Sequence, residues 1–138
     1  MTLINVVKRD GSKEPLDLEK LHKVVMNACD GLTGVSASEL EIASQIQFTN
    51  NIKTASIQET LIKAAADLIS EDTPNYQYVA GRLINYDLRK KVYGSFEPPT
   101  VYEHYLRMKH KGYYDSKLDK EFDAKDWDTL EQIGRAHV

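Results

Sequence analysis

Cysteine is nearly absent: Cys29 is the only one in 138 residues, which rules out an internal disulfide and any Cys-x-x-Cys redox or zinc pair. No apolar run approaches the roughly 18 residues of a membrane-spanning helix, and the amino terminus lacks a basic stretch followed by an apolar segment and a small-residue cleavage site. A cytoplasmic location without membrane contact is the expectation. Basic excess is missing too. With 18 Lys and Arg against 21 Asp and Glu the net charge is -3, which argues against a nucleic-acid coat and confines any anion site to a local cluster. His22, His104 and His110 are not grouped with carboxylates or thiols at metal-ligand spacing, so no metal site is expected.

What is present is a soluble composition, 41% hydrophobic and 28% charged, of about one domain's length. Leu3 to Arg9 is rich in Ile and Val and reads as a strand; Asp10-Gly11 is the favoured dipeptide of a two-residue type I′ turn, and Lys13 to Leu16 returns. Pro15 cannot donate to a ladder, so the return strand is short or lies at an edge. Asp17 has N-cap chemistry before a first helix, in which Leu21, Val24, Val25 and Ala28 recur at helical spacing until Gly31. Ser36 and Glu39 form a capping box for a second helix, with Val35 and Leu40 placed as a hydrophobic staple. A third helix carries Ile57, Leu61, Ala64, Ala65 and Leu68 on one face, with Thr54 or Ser56 as its cap. Thr73-Pro74 opens a fourth, which runs to Gly94.

The double proline at Pro98-Pro99 then interrupts the helical pattern and sets a boundary near Phe96. Beyond it Thr100 and Glu103 make another capping box, and a last amphipathic stretch carries Phe122, Trp127 and Leu130. So short a tail is expected to be too small to bury its own aromatics and reads as the beginning of an incomplete domain. The final six residues, IGRAHV, match the translation of a common sequencing-adapter stretch. The expected organisation is therefore residues 1–95 as a first domain, 96–132 as a linker and first helices, and 133–138 as an artefactual tail.

The segment "VVKRDGSKEPLDLEKL", Val6 to Leu21, holds four basic and four acidic side chains. Lys8 and Arg9 end the strand, Lys20 lies in the first helical turn, and the helix end offers unpaired N–H groups, so these together make a candidate anion pocket. Glu14, an acceptor only, suits an exocyclic amine at the far end of the same ligand. The alternative from spacing alone is a solvated hairpin whose charges pair across the strands.

This segment, together with "IKTASIQETLIKAAADLI" and "PNYQYVAGRLINYDLRKKVYGSFEPP", resembles the ATP-cone and the start of the catalytic region of class I ribonucleotide reductase large subunits, over essentially residues 1–132. The resemblance implies an α+β, mostly helical fold, a small β-hairpin or three-stranded sheet capping a four-helix bundle, followed by short helices of an incomplete domain. It implies an allosteric module for ATP and dATP, with Mg2+, controlling a reductase that makes deoxyribonucleotides for DNA synthesis. Lys8, Arg9, Lys20 and Lys90 would meet the phosphates. Glu14 and Asp17, with the backbone through Pro15, Leu16, Leu18, Glu19 and Lys20, would hold the adenine end. Thr54 and Gln58 would contact the nucleotide from the third helix, and Val6, Leu21 and Tyr86 would line its base or sugar.

Ser56 and Gln58 stand where well-studied bacterial members carry an aspartate and a histidine, so the response to dATP is expected to be weakened. The implied partners are the remainder of the large subunit, a radical-generating small subunit and further copies of the large subunit. Reductases of this family need a thiyl-forming cysteine and a reducing pair, so this chain alone has no catalytic residues. A stand-alone nucleotide-sensing adaptor or transcriptional regulator built on the same cone is the other reading; the zinc ribbon of the family's repressors would need cysteines the chain lacks.

Overall fold

A computed structural model of the chain describes residues 4–136. Its compact units are Met1–Leu88 and Arg89–Val138. In the first, strand β1 (Asn5–Val7) pairs antiparallel with β2 (Lys13–Pro15) and parallel with β3 (Ile52–Lys53), giving the order β2-β1-β3. Proline thus sits in an edge strand, where its missing N–H leaves no gap in the ladder. Leu3, the first residue of the expected strand, lies outside the described residues.

The hairpin loop differs from the expected two-residue turn. Gly11 N–H donates to Lys8 O at 3.0 Å and Lys8 N–H to Ser12 O at 2.9 Å, so Arg9, Asp10 and Gly11 form a three-residue loop. Only Gly11 in it has positive φ, 84°, as in a type I turn closed by a left-handed residue, whereas type I′ would need Asp10 there as well. Asp10 instead turns its carboxylate inward, accepting from Ser12 N–H at 2.9 Å and Ser12 Oγ–H at 2.6 Å, and these bonds hold its pKa below the ordinary carboxylate value.

Helices α1 (Leu18–Cys29), α2 (Ala37–Gln45), α3 (Thr54–Asp67) and α4 (Tyr76–Tyr93) follow. Asp17 caps α1 as expected, accepting from Glu19 and Lys20 N–H, and Gly31 takes the left-handed conformation just past its end. Two expected caps fail. Lys53 precedes α3 with no side-chain cap bond, because Thr54 is already its first helical residue. Helix α4 begins at Tyr76 rather than directly after Thr73, whose hydroxyl donates back to Leu68 O at 2.8 Å and so closes the preceding loop. The expected apolar face of α3 is present: Ile57, Leu61, Ala64 and Ala65 are buried with Val6, Leu21, Val25, Leu40, Phe48, Val79 and Leu83 in one core, and Leu68 packs against it.

Tyr76 changes the capping of α2. Ser36 Oγ accepts from Glu39 N–H at 3.3 Å, half of the expected box. In the other half, Ser36 N–H donates to Tyr76 Oη and Tyr76 O–H donates to Glu39 Oε2, both at 2.9 Å. The fully buried phenol thus links Ser36 to the Glu39 carboxylate and ties α4 to the start of α2; burial raises its pKa above the ordinary phenolic value.

In the second unit, α5 (Val101–His110), α6 (Leu118–Glu121) and α7 (Ala124–Ala136) surround an aromatic stack, which corrects the expectation that this tail buries none of its own aromatics. Tyr105 is buried, stacked on Trp127 at 4.7 Å and on Tyr114 at 6.1 Å, with Phe122 edge-on to Trp127. Three helices with an aromatic at the crossing give a small core; Tyr102 and Phe122 still keep two-fifths of their surface in water. Thr100 and Glu103 make both halves of their capping box, and Val101 N–H donates to Glu131 Oε2 at 2.7 Å. Of the expected adapter-derived tail, 133–136 continue α7, and 137–138 lie outside the described residues.

Replacing Tyr76 with Phe should lower the unfolding free energy by about 1 to 2 kcal/mol, since it strands Ser36 N–H and Glu39 at once. Denaturant titration measures it; an unchanged midpoint would show that water replaces the hydroxyl. Gly81 lies inside α4 with nothing within 4 Å of an added Cβ. Gly81→Ala should therefore raise stability by about 1 kcal/mol, and a lowered melting temperature would contradict that.

Candidate functional site

The three-residue loop fixes what the hairpin presents. Val6 faces Glu14 across the ladder and Val7 faces Lys13, so Val6, Lys8 and Glu14 share one face of the sheet, and Val6 on that face is buried in the core. Lys8 Nζ lies 2.8 Å from Glu14 Oε2, and this hydrogen-bonded carboxylate raises the lysine's pKa above its ordinary value. The two residues expected to meet opposite ends of a ligand therefore meet each other, as the cross-strand alternative anticipated. Arg9, in the loop, and Lys20, in the first turn of α1, are exposed and make no ion pair among the described residues.

The end of α1 is less open than expected. Asp17 Oδ1 accepts from Glu19 N–H at 3.0 Å and Lys20 N–H at 3.2 Å, so its carboxylate already occupies the place an incoming phosphate would take on those amides. An anion here would be met by side chains. Pro15 is exposed in β2, and Leu16 donates its N–H to Ile4 O at 2.8 Å while its side chain packs on the core. Leu18 and Glu19 line a concavity of about 460 Å³ with His22, Lys23, Glu41 and Gln45, in which His22 Nδ1 lies 2.6 Å from Glu41 Oε1 and joins α1 to α2.

Strand β3 brings α3 to the sheet. Val7 pairs with Lys53, and Thr54 starts the helix at once. Gln58 stands four residues on, one turn along the same stripe as Thr54 and beside the buried Ile57. Its Oε1 is buried with no hydrogen-bond partner among the described residues. An orphaned carbonyl is rare in a folded interior, and it leaves an acceptor ready for a donor. Sequence alone could not show this, because it depends on how α3 packs.

Val6 and Leu21 are buried in the core, and Tyr86 packs against it. Lys90 belongs to the second unit, where its ammonium sits 4.7 Å from the centre of the Phe96 ring. Cys29 is half-buried at the core edge, and burial pushes its thiol pKa up, which keeps it protonated and unreactive. No three His, Cys, Asp or Glu side chains are grouped to hold a metal ion, and no helix is long and apolar enough to cross a membrane, among the described residues.

The ATP cone domain model matches residues 4–91, which takes in the whole sheet and α1 to α3. The chain belongs to the ATP-cone family. It is also similar to ribonucleoside-diphosphate reductase alpha subunits: 54% identical over 122 residues to that of Buchnera aphidicola from Acyrthosiphon pisum, covering 88% of this chain and 16% of the relative. The Escherichia coli K12 subunit is 49% identical over 126 residues, 91% of this chain and 17% of the relative. That of Helicobacter pylori 26695 is 45% identical over 124 residues, 87% and 16%. The chain spans about a sixth of the length of these curated relatives. As an ATP-cone it shows the expected architecture: a three-stranded sheet on a helical core, with short helices after it.

Gln58→Met should stabilise the ligand-free chain by about 1 to 2 kcal/mol by removing an unsatisfied buried carbonyl. Urea unfolding without nucleotide is the measurement, and a loss of stability would mean that the amide is already satisfied.

Proposed function

We propose that the cone is the allosteric nucleotide-sensing module of a ribonucleoside-diphosphate reductase alpha subunit, taking ATP as activator and dATP as inhibitor and so governing deoxyribonucleotide supply. The observation that carries this reading is the charge balance of the hairpin. Asp10 accepts from Ser12, Glu14 pairs with Lys8 and Asp17 accepts from the amides of α1, which leaves three cations, Arg9, Lys13 and Lys20, and one acid, Glu19, without ion pairs among the described residues. Three such cations against one acid, beside a fourth cation that is loosely held, favour a polyanion. The nucleotide's phosphates are proposed to lie on Lys8, Arg9 and Lys20, its adenine amine against Glu14, and its remaining contacts toward Thr54 and Gln58.

A magnesium ion would arrive on the polyphosphate itself, since Mg2+ keeps several waters and takes phosphate oxygens readily. The chemistry of reduction, with its cysteines, belongs in this reading to the rest of the subunit. The cone would act there through the state of an oligomer that includes a radical-generating small subunit, in the cytoplasm. Nucleotide binding alone shifts nothing unless two such states bind it differently.

Calorimetry on the chain should show Mg-ATP and Mg-dATP binding in preference to Mg-GTP, with Arg9→Ala or Lys20→Ala weakening binding by about 1.5 to 3 kcal/mol, the range of a charged hydrogen bond. Equal affinity for adenine and guanine nucleotides would remove the base assignment, and unchanged affinity in both variants would remove the phosphate assignment.

A further inference from the structure

Resting on the nucleotide reading, we infer that the Lys8–Glu14 ion pair is a gate that makes phosphate capture and base reading depend on each other. The two side chains are diagonal neighbours on one sheet face, joined at 2.8 Å across the hairpin and roughly half exposed. Lys8 closes the loop that carries Arg9, and Glu14 is the acceptor assigned to the base. In the empty hairpin each satisfies the other. A phosphate that draws Lys8 away leaves Glu14 as a carboxylate without a donor; a base that engages Glu14 leaves Lys8 free for phosphate.

The neighbouring acids cannot take over either role. Asp10 is held by Ser12 N–H and Oγ–H, Asp17 by the two amides it caps, and Glu19 lines the separate concavity with His22 and Glu41. Exchange therefore runs through this one pair. A ligand bearing both a polyphosphate and a base N–H donor replaces the pair with two matched contacts. One bearing only the polyphosphate breaks it and leaves a charge unmatched. Bare polyphosphate is thereby disfavoured, although it carries the same anion.

The pair is exposed, so the effect is modest: charge pairs of this kind correspond to about a two- to five-fold change in affinity. The test measures binding of inorganic tripolyphosphate and of ATP to the 138-residue chain and to its Glu14→Met, Lys8→Met and doubly substituted forms. Both positions are exposed, and circular dichroism checks that each variant folds. Glu14→Met should bind tripolyphosphate about two- to five-fold more tightly than the parent, while its preference for ATP over tripolyphosphate falls. On the Lys8→Met background the same substitution should leave tripolyphosphate affinity unchanged. A gain of equal size on both backgrounds would mean that Glu14 acts only by its charge, and no gain on either would mean that the pair costs the anion nothing; both overturn the gate while leaving the nucleotide reading intact. Failure of the parent chain to bind either ligand overturns the reading and the gate with it.

Discussion

Strand β1 is three residues long and is bonded on both sides, to β2 in one direction and to β3 in the other. Everything polar in the candidate site depends on its register. Since side chains alternate across a strand, a slip of one residue would turn Val6 out of the core and carry Lys8 to the opposite face. Burial of Val6 against Leu21, Val25 and Ile57 opposes that slip. So does the loop, whose Gly11 accommodates a left-handed residue that would strain any residue with a side chain. The apolar core and the charged hairpin are thus positioned by the same few backbone bonds.

Capping shows the same economy of parts. Asp17 both starts α1 and satisfies the amides there, so an anion at this helix end would be left to side chains. Tyr76 provides a hydroxyl that serves Ser36 and Glu39 together, so that α2 and α4 share one polar junction inside an otherwise apolar contact. Arg82 does a related job at the other end of α1, donating to Ala28 O and Asp30 O at 3.1 and 2.6 Å. Orphan carbonyls at a helix end need such donors.

The four helices of the bundle were legible in the chain because their signals are local: an apolar face of period 3.6, a capping side chain, a glycine just past the end. Asp17, Ser36 and Thr100 are each read correctly from a few neighbours. What escaped reading is non-local or too short. Strand β3 has two residues, below any periodicity, and exists because β1 offers it a partner. The Tyr76 bond to Glu39 spans 37 positions. The loop length turned on one residue's backbone, which Asp10-Gly11 leaves open between two turn types. Within the candidate site the cluster of cations was visible, and the resemblance named Gln58. Its unpartnered carbonyl and the mutual engagement of Lys8 with Glu14 follow only from packing and geometry.

The bond from Asn5 N–H to the side chain of Asn50 closes 45 residues of chain. Closing a loop of that length carries a chain-entropy cost on the order of 3 kcal/mol before any contact offsets it, whereas the Lys8–Ser12 hairpin closes locally. The hairpin can therefore form early in folding, with its cations already displayed, while Thr54 and Gln58 arrive only when β3 docks beside β1. A partly folded chain would hold one half of the candidate site without the other. Any ligand that needs both halves would then bind the completed fold alone and bias the folding equilibrium toward it.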